Sequence, residues 1–118
     1  MRDLLKRISG FGRQEPSLVL QEESALTLVL RHGHRTTTFD RLSRTVMQNA
    51  RLAARFGVIQ HVRVERVPAD DGAAGWVVAL DLSGSRRLEI GRSSDDAEAS
   101  SVAARIAAFT GTSLVRGD

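Results

Sequence analysis

The chain contains no cysteine, no tyrosine, two prolines and five aromatic residues, and only one of its seventeen cationic side chains is a lysine. Without cysteine there is no disulfide framework, no thiolate metal site and no thiol nucleophile. Few aromatics leave little for the base stacking that single-strand nucleic-acid binders use. No apolar run approaches the roughly 20 residues of a membrane-spanning helix. No signal-peptide core is recognisable either, so the expected address is cytoplasmic.

What remains is a globular chain of 118 residues, 42% hydrophobic and 26% charged. That is long enough for one core to hold a single domain. The sixteen arginines keep the isoelectric point near 10.9 although the net charge is only +3. Arginine does not deprotonate at ordinary pH. The charge is unevenly spread: residues 1–66 carry twelve cations and six anions, and residues 67–118 carry five and eight. Such a split suits an anionic partner or head-to-tail self-association.

The hydrophobic pattern predicts a short amphipathic helix in Met1–Arg13, with Leu4, Leu5, Ile8 and Phe11 at helical spacing, broken at Gly10–Gly12 and Pro16 so that residues 1–16 are helix and linker. A short apolar strand is expected at Ser17–Glu22 and an alternating one at Ala25–His32; Gly33 turns the chain, and His34–Phe39 returns with the β-branched run Thr36, Thr37 and Thr38. Between Arg41 and Phe56 the period changes to 3.6, with Leu42, Val46, Ala50 and Ala53 on one face, which predicts a helix ended by Gly57. Strands are expected again at Val58–Val67, Trp76–Leu82 and Arg86–Gly91. A last helix starts at Ser93 or Ser94, carries Asp95, Asp96 and Glu98 in its first turn, and stops at Gly111.

The two halves align. Gly33 matches Gly84 and Arg35 matches Arg86, while Leu52–Ala54 and Gly57 match Ile106–Ala108 and Gly111. The expected fold class is therefore α+β. A short N-terminal helix and linker (1–16) precede two antiparallel strand-strand-strand-helix units (17–57 and 58–118), packed as a pseudo-repeat in a single domain.

Catalytic constellations are thin. His32-Gly33-His34 straddles a turn, but no spacing supplies a third zinc ligand. Asp70-Asp71-Gly72 is ordinary turn chemistry. Phosphate-binding glycine loops and nucleophile elbows are missing. The expectation is a protein that is not an enzyme, with no cofactor and no metal.

Arg41, Arg44, Gln48, Arg51 and Arg55 are spaced 3, 4, 3 and 4 residues apart. On a helix they would fall within an arc of about 80°, a stripe of four guanidiniums suited to an anionic partner or to the acidic half of another copy. A solvated helix face with long arginine stems is the plainer account of the same spacing. Arg63, Arg86, Arg87 and Arg92 make a secondary basic patch around the last hairpin.

Two resemblances follow. Trp76-Val77-Val78-Ala79-Leu80, then Arg87-Leu88-Glu89-Ile90-Gly91, then the alanine-rich Ala97–Ala104 resemble AP2-type DNA-binding units of three strands and a helix. That resemblance implies major-groove contact through Arg63, Arg86 and Arg87. Leu88-Glu89-Ile90-Gly91, leading into Val102–Gly111 and the apolar Leu114-Val115, is similar to uncharacterised bacterial domains with a pleckstrin-homology-like close. It implies strands before a single closing helix.

The expected function is a non-catalytic binding or assembly module whose partner is a protein, including a second copy of itself. A nucleic acid held by the arginine stripe is the alternative. An anionic membrane surface, met through the N-terminal apolar residues, is third.

Overall fold

The computed structural model describes residues 17–68 and 74–117; the expected N-terminal helix and Asp70-Asp71-Gly72 lie outside the described residues. Nine strands and one α-helix are built from the described residues, in the order β1 (Val19–Glu23), β2 (Thr27–His32), β3 (Arg35–Asp40), β4 (Thr45–Gln48), β5 (Arg51–Arg55), β6 (Ile59–Pro68), β7 (Ala74–Leu82), β8 (Arg86–Ser93), α1 (Asp96–Thr110) and β9 (Ser113–Gly117). The first five form an antiparallel meander in sequence order. The other sheet runs β8-β7-β6-β9, with β9 parallel to β6.

Among the described residues the fold is thus mostly β with one α-helix near the C-terminal end, and the expected pair of strand-strand-strand-helix units is overturned. Residues 41–56 form no helix. They make a turn, β4, a two-residue turn and β5. The supposed helix face is dispersed: Leu42 is 77% exposed, Val46 is fully buried, and Ala50 lies in the β4–β5 turn. Asn49 and Ala50 both have positive φ, 49° and 68°, as a two-residue hairpin turn matched to strand twist requires. Gly57 sits in a single 3-10 turn, Phe56–Val58, and does not take positive φ, so it caps no helix. With the first helix gone, the pseudo-repeat goes too.

Alternation explains the core. Leu28, Leu30, Thr37, Phe39, Val46 and Ala54 point inward from the five-stranded sheet. Ile59, Val62, Val64, Val78, Leu80 and Leu82 do so from the other. The helix closes this core with Ala99, Val102, Ala103, Ile106 and Phe109. Asp95 is its N-cap, accepting from the Ala97 amide at 3.0 Å, and Gly111 (φ 75°) ends it in the left-handed conformation.

The sheets meet where β8 passes β2. Leu18 N donates to Arg92 O at 3.1 Å, and a Cβ on Gly91 would stand 2.8 Å from both His32 Cβ and Leu18 Cδ1. Only glycine allows that approach. Gln48 Nε2 adds a polar tie, donating to Thr37 Oγ1 at 3.2 Å and to Glu89 O at 3.0 Å.

Candidate functional site

The strand order divides the predicted arginine stripe. β1, β3 and β5 run the same way, so the C-terminal ends of these strands gather at one end of the meander. Arg41, Arg44 and Arg55 lie there. Gln48 and Arg51 lie at the other end, beside the β4–β5 turn, and Gln48 is half-buried as a tie between sheets. The five residues do not form one surface.

The three gathered arginines have defined environments. Asp40 Oδ1 accepts from the amides of Leu42 (2.9 Å) and Ser43 (3.2 Å), which fixes the turn after β3. Arg41 Nη1 donates to Ala25 O at 2.8 Å, and Nη2 to Phe109 O at 3.2 Å, near the C-terminal end of α1. Its guanidinium lies 4.1 Å from the centre of the Phe109 ring. Phe109 meets Phe56 edge-on at 6.4 Å, and the Arg44 guanidinium stands 5.4 Å from the Phe56 ring. Two arginines thus cap a buried aromatic pair, each contact contributing on the order of 0.5–1 kcal/mol at such exposed positions. Arg44 has φ 58°, and its carbonyl accepts from Phe56 N at 2.8 Å, so the turn and the end of β5 are locked together.

On this frame the turn carries Leu42 outward, 77% exposed, with Leu26 (47% exposed) on the neighbouring β1–β2 turn. Arg41 N donates to Leu26 O at 2.9 Å, which joins the two turns. Beside them a groove of about 420 Å³ runs along α1, lined by Ser24, Ser101, Ala104 and Ala108 and by the ion pair Arg105–Glu23 at 2.5 Å. The result is a leucine-tipped end with arginines around it and Glu22 and Glu23 at its margin.

Three of the four arginines of the secondary patch stand beside carboxylates of the same chain. Arg63 and Arg87 converge with His61 on Asp81, on the outer face of the four-stranded sheet: Arg63 Nε–Oδ2 2.7 Å, Arg87 Nε–Oδ1 3.2 Å, His61 Nε2–Oδ2 2.6 Å. Arg87 also reaches Glu65 at 3.1 Å. Burial pushes the Asp81 pKa up, but the Arg63 hydrogen bond and charge, the Arg87 charge and the His61 hydrogen bond outweigh it and hold it below the ordinary carboxylate value. Arg86 bends back to Ser83 O at 3.4 Å in the β7–β8 turn, and Arg92 stands 4.0 Å from Glu89. Two of the three arginines assigned to DNA contact by resemblance are therefore committed to one carboxylate.

The chain matches no family model, no curated protein and no solved structure. Among the described residues, no group of three or more histidine, aspartate or glutamate side chains is placed to hold a metal ion, and no helix is long and apolar enough to cross a membrane.

Sequence reasoning missed Asp81 as a hub, the Phe56–Phe109 pair and Leu42 as an exposed tip. Asp81 carried a signal: a lone aspartate in an otherwise apolar strand opposite a basic one. The other two depend on residues brought together only by folding.

Proposed function

We propose that this protein is a non-catalytic binding and assembly module whose partner is a protein, docked at the leucine-tipped end of the five-stranded sheet. One observation carries the reading: Leu42 is held out to solvent by a turn fixed through Asp40, at the end of the sheet that also carries Arg41, Arg44 and Arg55. An exposed leucine on a rigid turn loses little conformational entropy when it is buried, and its transfer from water contributes about 1.5–3 kcal/mol. Arginines around an apolar anchor are common at protein interfaces, where they contribute disproportionately.

The same geometry favours a protein over the other partners. Phosphates have no use for Leu42 and Leu26, and the aromatic rings below are covered by arginine and offer no open face to a base. An anionic lipid surface would meet Glu22 and Glu23 at the margin of this end. A non-catalytic role agrees with the cluster of His61, Arg63 and Arg87 being spent on pairing with Asp81. A cytoplasmic address belongs to the same reading and suits a chain that folds without disulfides.

The test places a photoreactive residue at position 42 in cells, with position 60 on β6 as control. A discrete adduct at position 42, resistant to nuclease, removed by protease and lost on adding Arg44→Glu, is expected. A nuclease-sensitive or lipid adduct, or equal labelling at position 60, would overturn it.

A further inference from the structure

The two edges of the five-stranded sheet are complementary to each other. β1 and β5 are its outermost strands, and among the described residues no strand pairs with the outer edge of either. Three antiparallel strands lie between them, so β1 and β5 run in the same direction.

Each edge contains a one-residue bulge. In β1, Leu20 and Glu22 face successive residues of β2, leaving Gln21 extra; in β5, Leu52 and Ala54 face successive residues of β4, leaving Ala53 extra. The bulges give both strands the same unusual spacing on the outer face, because residues three apart point the same way. On β1 these are Val19 and Glu22, opposite the outward Arg31 and Val29. On β5 they are Leu52 and Arg55, opposite the outward Met47 and Thr45. Each pair is an exposed apolar residue followed by a charge, and the charges have opposite sign. Val19 is 52% exposed and Leu52 51%.

We infer that β5 of one molecule adds in parallel to β1 of a second copy of this chain, continuing the sheet head to tail, with Leu52 beside Val19 and Arg55 beside Glu22. Strand addition at a free edge supplies main-chain hydrogen bonds, and the side chains set register. The matched bulges let one register satisfy both side-chain pairs. The two-fold alternative at β5 is disfavoured by charge. Antiparallel pairing of β5 with itself about Ala53 would set Arg51 across from Arg55. The contact is heterologous, so it propagates into chains of molecules and does not stop at a dimer. Arg55 stands at both surfaces, so the two contacts are told apart by the Val19–Leu52 crosslink on one side and by Leu42 and Arg44, which belong to the turn alone, on the other.

The absence of natural cysteine makes the test clean. The full chain is prepared as Val19→Cys, as Leu52→Cys and as both together, and oxidised with copper–phenanthroline. Circular-dichroism melts check that each variant keeps the fold. The double variant should give a ladder of dimers, trimers and larger species on a non-reducing gel, while each single variant stays largely monomeric. Adding Arg55→Glu to the double variant should cut the crosslinked fraction on the order of tenfold, and Glu22→Arg on top of it should restore the ladder. Three results would overturn the inference: a monomeric double variant, single variants that dimerise as readily as the double, or a ladder indifferent to Arg55→Glu. Success at these edges with no labelling at position 42 would instead remove the docking site and leave the self-assembly.

Discussion

Replacing Ala50 by glycine should stabilise the protein, because Ala50 has φ 68° in the β4–β5 turn. An L-residue with a Cβ in the left-handed region is strained by roughly 1–2 kcal/mol. Glycine removes that strain but makes the unfolded chain more flexible, at a cost of about 0.4–1 kcal/mol. Ala50 is exposed, so little packing is lost. The net gain is about 0.5–1 kcal/mol. An unfolding entropy of about 2.1 cal/mol/K per residue makes that an increase of about 2–4 °C in Tm. Asn49 should keep the turn in register, since its side chain accepts from Thr36 N at 2.8 Å and its amide donates to Thr36 O at 3.0 Å. Differential scanning calorimetry of Ala50→Gly is the assay. The sign is diagnostic, because alanine to glycine inside a helix lowers stability by about 1 kcal/mol. A lowered Tm would refute the hairpin and favour the helix that the periodicity of residues 41–56 suggests.

Asp81→Asn should destabilise by about 1–3 kcal/mol in urea titrations at pH 7, because Arg63, Arg87 and His61 lose a shared, largely buried anion. Since the folded pKa of Asp81 lies below its unfolded value, this contribution is complete above about pH 5 and is lost as pH falls through the folded pKa. The stability gap between wild type and Asp81→Asn should therefore narrow in acid; a gap that widens would sink the assignment. Gly91→Ala should lower stability by about 1–3 kcal/mol, because its methyl group would press on His32 Cβ close to the β2 backbone. A neutral melt would show that the two sheets can separate there. Leu42→Asp should leave Tm unchanged, since an exposed side chain supports no core.

Local pattern was enough for β2, β3, β6, β7, β8 and α1. In β2, β6, β7, β8 and α1 the apolar residues alternate or recur at helical spacing, β3 carries a β-branched threonine run, and glycine marks the turns at 33, 84 and 111. It was also enough to rank the chemistry, because the lack of cysteine and the shortage of aromatics are properties of composition. Residues 41–56 misled for identifiable reasons. Strands of four and five residues are too short to establish a period, and the bulge at Ala53 breaks the alternation of β5. The hairpin turn uses Asn-Ala where Asn-Gly would have announced it. With Leu42, Val46, Ala50 and Ala53 at helical spacing among arginines that favour helices, local propensity pointed the wrong way.

What the amino-acid order determined by itself was how many charges there are, of which sign, and which residues the longer, regular strands would turn to the same side. Which charges share a partner was decided only by tertiary register. Arg63 and Arg87 stand on different strands, and pairing with β7 places both on Asp81. Arg41 reaches Phe109 because α1 closes over that end of the sheet, and Arg44 reaches Phe56 because the β3–β4 turn bonds to the end of β5. Pairing free energy depends on distances between side chains far apart in the chain, and a periodicity within one segment carries no information about them.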